Sequence, residues 1–153
     1  MKPLRILHLV SCRGWSSDAY WAARVVRELE QIGHQATLGY RASADERVLK
    51  EIREIGVNGI RPRSLRSGLK PADDLADLRQ LLAWLPSYDV VHVHRGKEHW
   101  LAALANRLSS TPRPLVRTRH IVQAVRPHAA NRWLYGRATD VVVTVSVAIR
   151  RQY

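Results

Sequence analysis

Pro114-Leu-Val-Arg-Thr-Arg-His-Ile-Val-Gln-Ala-Val-Arg-Pro-His128 is the stretch on which the fold reading turns. Leu115 and Val116 begin a short apolar run that passes into Arg117, Thr118, Arg119 and His120, and then into a basic loop. Such a run, preceded by prolines, reads as the end of a buried strand that delivers a histidine and several cations to a sheet edge. In an open α/β sheet, ligands bind beyond the carboxyl ends of the strands. His120 is therefore expected on the floor of a crevice, although a histidine at a strand end is more commonly an ordinary hydrogen-bonded group.

Working outward, the same alternation of strand and helix recurs on both sides. Upstream, Asp89-Val-Val-His-Val-His94 reads as a strand, Arg95-Gly-Lys97 as a turn and Glu98–Leu108 as a helix. Before them, Ala72–Leu85 is an amphipathic helix with Leu75, Leu78, Leu81, Leu82 and Leu85, stopped by Pro86. Downstream, Asn131–Tyr135 reads as one or two helical turns and Asp140–Val145 as a strand. Ser146 is the expected N-cap of a helix that has barely begun at Tyr153.

At the N-terminal side, Leu4-Arg-Ile-Leu-His-Leu-Val10 reads as a strand buried on both faces. Ser11–Ser17 is a loop, and Asp18 is the expected N-cap of a helix over Ala19–Ile32. That helix has Val25, Val26, Leu29 and Ile32 at core-like spacing, and Gly33 at its C-terminal stop. Gln35–Tyr40 is the next strand, Ala44–Ile55 a helix and Val57–Ile60 a short strand. An irregular basic run, Arg61–Lys70, follows. Strands alternating with helices define an α/β class, a doubly wound and mostly parallel sheet sandwiched by helices, over one domain of residues 1–153.

Composition narrows the function classes. The 25 Lys and Arg against 13 Asp and Glu leave a net charge of +12, which favours polyanionic partners. No run of 18 apolar residues suggests a membrane span, and the first residues lack the apolar core of a signal peptide. Cys12 is the single cysteine, so no internal disulfide can form, as expected of a reducing cytoplasm. No P-loop, Ser-His-Asp order or acid/base carboxylate pair stands out.

Three basic or glycine-containing segments lie at three strand ends. Gly14, Trp15, Ser16 and Ser17 follow the first strand, and the backbone amides there suit an anion, although G-x-G-x-x-G spacing is lacking. His94, Arg95, Gly96 and Lys97 follow a second. Arg117, Arg119, Arg126 and His128 accompany His120 at a third. His92 and His94 share a strand face and His99 follows, but no carboxylate or cysteine completes a recognisable ligand spacing, so no metal site is expected.

Leu4-Arg-Ile-Leu-His-Leu-Val-Ser with Gly14, Glu28-Leu-Glu-Gln-Ile-Gly-His34, Tyr88-Asp-Val-Val-His-Val-His94, Val116-Arg-Thr-Arg-His120 and Thr139-Asp-Val-Val-Val-Thr-Val-Ser146 resemble, in this order, family 4 of the retaining glycosyltransferases. The resemblance is to the N-terminal, acceptor-binding Rossmann-like domain of the GT-B fold. It implies that His120 contacts the transferred sugar and that the Gly14 loop approaches the donor diphosphate and the acceptor. Where the family commonly has two adjacent glycines, this chain has Ser16-Ser17. The resemblance also implies a nucleotide-diphosphate sugar as co-substrate, with no metal or other cofactor.

The donor-binding domain and its E-x7-E motif are absent, so the chain is expected to be C-terminally incomplete and to show little activity alone. A second domain in cis or trans, a glycan or lipid-linked acceptor of the cell envelope, peripheral contact with an anionic membrane from the cytoplasm, and self-association of the isolated domain are the expected partnerships. The alternative is a non-catalytic basic module that binds nucleic acid or another polyanion. Against it, the aromatic residues are not interleaved with the cations as a stacking platform requires.

Overall fold

Leu7, Leu9 and Val10 are wholly shielded from solvent because the strand that carries them is central in a parallel sheet. The protein is described here over residues 2–151 by a computed structural model. Its elements are β1 (Arg5–Val10), α1 (Ser17–Gln31), β2 (Gln35–Arg41), α2 (Glu46–Glu54), β3 (Ile60–Arg63) and α3 (Pro71–Trp84). They continue with β4 (Val90–Val93), α4 (Gly96–Leu108), β5 (Leu115–Arg119), α5 (Ala129–Gly136), β6 (Val141–Thr144) and α6 (Val147–Arg150). The expected continuation of the last helix to Tyr153 lies outside the described residues.

The strands pair in parallel in the order β3-β2-β1-β4-β5-β6. The chain winds outward from β1 through β2 to β3, then returns to β4 and winds the other way. The strand order therefore reverses between β1 and β4, and ligands of such sheets bind at that reversal, beyond the carboxyl ends. Leu7 and Leu9 face one core, with Val91, Val93 and Leu115 and the inner sides of α3, α4 and α5. Val10 and Leu38 face the other, beneath α1 and α2.

Several local expectations shift. The inner stripe of α1 is Ala19, Ala22, Ala23 and Val26, whereas Ile32 is 69% exposed. Alanines let the helix approach the sheet closely, so the buried stripe is displaced from the larger residues. The N-cap position of α1 is Ser16, not Asp18. Asp18 lies in the first turn, where a carboxylate complements the helix dipole. In α3, Leu75 is 46% exposed instead of buried. Arg95 holds the N-cap position of α4, so Gly96 and Lys97 belong to the first helical turn and not to a separate turn.

The third strand occupies Ile60–Arg63, not Val57–Ile60. A Cβ on Gly59 would lie 2.6 Å from the Ala36 carbonyl oxygen, so the chain closes onto β2 only where a side chain is missing. The basic residues of this edge strand are accommodated by Trp84: the Arg63 guanidinium lies 3.2 Å from the ring centroid, and Arg61 lies 5.3 Å away. Pro62 on an edge strand limits further pairing. Among the described residues, no helix is long and apolar enough to cross a membrane.

Candidate functional site

The site begins with three strand ends. Parallel register sets His8 opposite His92, and Val116 beside His92 on the next strand. Side chains alternate along a strand, so His8, His92, His94, Thr118 and His120 share the face beneath α1. Their rings form one group. The His8–His92 and His92–His94 centroids are each 4.6 Å apart, and His94–His120 are 5.6 Å apart. Trp21 of α1 lies against His92, His94 and His120 at 6.2, 5.7 and 5.5 Å.

Hydrogen bonds order these rings. His8 Nδ1 and His94 Nε2 are 3.2 Å apart, and His94 Nδ1 and His120 Nε2 are 3.3 Å apart. His92 Nε2 pairs with the Thr118 hydroxyl at 2.7 Å. Burial keeps His8 and His94 neutral, holding both well below the usual histidine range, and neighbouring rings add to this. Burial likewise pulls His92 down to about 4. His120, half-buried at the rim, is lowered by burial and by the Arg117 and Arg95 charges, against the opposing pull of Asp18.

Asp18 joins the loop before α1 to the start of α4. Burial pushes its carboxyl up, but the Ser16 hydroxyl and the Arg95 guanidinium both donate to it and hold it below the usual range. Arg95 is thus an ion-pair partner of Asp18. Glu98 ties the two loops of the reversal together: one carboxylate oxygen accepts from the Arg95 amide at 2.7 Å and from the Ser11 amide at 3.3 Å. Burial raises the Glu98 carboxyl in spite of these donors.

The structure separates the other expected site residues. Gly14 lies in the loop after β1, Ser16 at the N-cap of α1 and Ser17 at its first position. Trp15 packs partly into the core beneath α1 and meets Tyr20 edge-on. His94 is buried and touches His120 instead of opening to solvent. Gly96 is exposed at the start of α4, but the Lys97 ammonium is held by Asp74 and by the Gly68 carbonyl.

Arg119 is a correction. Strand alternation sends it, with Arg117, to the face opposite His120, where its guanidinium donates to the Gln123 carbonyl. Arg117 is buried there, hydrogen-bonded to Tyr135 and close to Glu98. Arg126 is exposed on the loop after β5.

The histidine grouping also changes. His99 turns to Thr139, 2.7 Å from its hydroxyl, and His8 takes its place beside His92 and His94. One ring nitrogen from each of His8, His92 and His94 lies within 4.8 Å of the others, a spacing a metal ion could bridge. His8 Nδ1 and His94 Nε2 are engaged with one another at 3.2 Å. Sequence reading missed His8, Asp18, Trp21, Thr118 and Glu98 as parts of the site. A histidine inside the aliphatic Leu4–Val10 run was the one available signal, since a buried polar ring needs a partner.

The profile of Glycosyltransferase Family 4 matches residues 19–153, and the chain belongs to this family. No curated protein matches it by sequence. Among solved structures, a glycosyltransferase from Rickettsia africae ESF-5 is 16% identical with a TM-score of 0.75, the match covering 99% of this chain and 39% of that one. MurG of Acinetobacter baumannii is 18% identical with a TM-score of 0.67, over 95% and 42%. The UDP-GlcNAc 2-epimerase from Neisseria meningitidis bound to UDP-GlcNAc is 15% identical with a TM-score of 0.70, over 97% and 42%. These likenesses show the α/β fold of GT-B enzymes. The chain spans about two fifths of the length of each.

Proposed function

We propose that this chain is the acceptor-binding half of a nucleotide-sugar-dependent retaining glycosyltransferase, with His120 touching the transferred sugar. The observation that carries the reading is the convergence at the β1/β4 reversal. The loop that runs into α1, the start of α4 and the end of β5 meet there around a half-buried His120. The Gly14–Ser17 segment opens α1, and amides at a helix start stabilise phosphate charge as a diphosphate leaves. Arg95 neutralises Asp18, which would otherwise repel that charge. A second, donor-binding domain supplies the nucleotide contacts, so this chain alone transfers little sugar.

The acceptor on this reading is an anionic, lipid-linked glycan met at the inner membrane surface. Support comes from an open groove of about 630 Å³ between α3 and α4, lined by Leu69, Leu75, Leu78, Trp100, Leu101 and Leu104. Leu69 is 90% exposed there, next in sequence to Lys70, and Lys97 is among the lining residues. In the enzyme that carries both domains, His120→Ala should lower kcat by about 10²–10³-fold, as loss of one positioned donor does, with the unfolding midpoint unchanged. Near-normal turnover would remove His120 from the site.

A further inference from the structure

We propose that His8 and His94 are positioning residues that fix the tautomer of His120, so that its proton sits on Nδ1, the ring nitrogen left over from the chain, as a hydrogen-bond donor. The use of that donor in sugar transfer rests on the function proposed above; the tautomer itself rests only on the geometry.

His8, His94 and His120 form a chain of two N···N hydrogen bonds, 3.2 and 3.3 Å long. A neutral imidazole carries one N–H and one bare nitrogen, and each link needs one proton. Both links must therefore run in the same direction. Two arrangements satisfy this. In the first, His8 Nδ1–H donates to His94 Nε2, His94 Nδ1–H donates to His120 Nε2, and His120 keeps its own proton on Nδ1. In the second, every proton moves to the other nitrogen, and His120 is left with a bare Nδ1.

The far end of the chain decides between them. His8 is fully buried, and its Nε2 has no hydrogen-bond partner among the described residues. The first arrangement leaves a bare lone pair there; the second leaves an N–H with no acceptor. Among backbone groups an orphaned buried N–H is rarer than an under-satisfied acceptor, and the same cost applied to an uncharged ring favours leaving the bare nitrogen, not the N–H, unpartnered on His8. The nearest ring, His92, is tilted 40° to His8, and its Nε2 is engaged by Thr118. The first arrangement is thus selected. At His120 burial, joined by the Arg117 and Arg95 charges, outweighs the pull of Asp18 toward a second proton, so the ring stays neutral.

One chemical consequence follows. With Nδ1 protonated and Nε2 accepting from His94, His120 has no free lone pair, so it orients a sugar hydroxyl or ring oxygen by donation and does not act as a general base. The strand register that stacks His8 beside His92 and His94 is what extends the chain into the core.

The test is two-bond ¹H–¹⁵N correlation on this chain with labelled histidine near pH 7.5, His120→Ala serving to assign its signal. His8, His94 and His120 should each show a protonated Nδ1 and a bare Nε2, the form a free imidazole in water populates less. A protonated Nε2 on His120, or a rapidly averaged pair, would overturn the proposal. His94→Phe keeps ring volume but cuts both links, and should return His120 to the averaged form. A folded His94→Phe protein with His120 still locked as Nδ1–H also overturns it; should that variant not fold, the wild-type spectrum decides alone. An Nδ1–H signal in a protein whose complete enzyme tolerates His120→Ala would keep the relay and discard the transferase role.

Discussion

His92 and His99 show what burial does to a single ionisable side chain. Burial pulls His92 down to about 4 and His99 to about 3, and His8 and His94 shift in the same direction. In the unfolded chain these rings take up protons near 6.5. Between that pH and the folded values, the unfolded state binds more protons than the native state, so stability rises with pH. Their contribution is complete above about pH 6.5 and is lost as the pH falls toward 4 and then 3. Glu98 acts in the other direction, because a raised carboxyl favours the fold most strongly at low pH and loses that advantage as pH rises. His120 shifts with these four rings and Asp77 with Glu98, and five lowered rings against two raised carboxyls settle the net sign. Urea denaturation at several pH values should show a falling midpoint between pH 7 and 4, and a flat profile would mean that the rings are not buried as described.

At the level of the element, β3 shows a strand placed by one missing side chain. The Leu38 amide donates to the Gly59 carbonyl at 2.6 Å, and the space where a Gly59 Cβ would stand is filled by the Ala36 carbonyl oxygen. Gly59→Ala must push backbone from backbone, at a cost of about 1–3 kcal/mol. That should lower the melting temperature by several degrees and speed exchange of the Leu38 amide, while the ring signals of His94 and His120 stay in place. An unchanged melt would show that β2 and β3 can separate without loss. The same element explains why Arg61-Pro-Arg63 was read as irregular. Its basic side chains are tolerated in a strand because Trp84 comes from α3 to stack on them, and no local pattern announces that ring.

For the whole molecule, a net charge of +12 and an exposed leucine-lined groove are the two features an anionic amphiphile would use. Flotation with phosphatidylglycerol vesicles should recover the chain at low salt, and phosphatidylcholine vesicles should not. Raising salt from about 0.1 to about 1 M shortens the screening length from about 10 to about 3 Å and should weaken the binding. Leu75→Asp with Leu104→Asp should reduce it further at low salt, since both side chains are exposed in the groove. Equal flotation of that double variant would leave a purely electrostatic attraction and remove the groove from the acceptor's path. Salt-sensitive binding to nucleic acid with a sequence preference would instead support the polyanion module.

Periodicity alone determined much of this protein. Mostly apolar runs at Leu4–Val10 and Asp89–His94, separated by helices with glycine or proline stops, point to a parallel doubly wound sheet, because the strands of such a sheet are buried on both faces. Ser146 as a helix cap was equally legible, since a cap is a local hydrogen bond; its hydroxyl accepts from the Ile149 amide. What only the tertiary structure decided is which strand lies beside which. His8 and His94 are 86 positions apart, and they meet because β4 inserts next to β1. The same insertion gives Asp18 to Arg95 and Glu98 to the loop after β1, and strand alternation turns Arg119 away from His120. Local sequence encodes the faces of an element. Pairing across the sheet depends on register between distant segments, and that register turns one histidine at a strand end into the rim of a buried chain of rings.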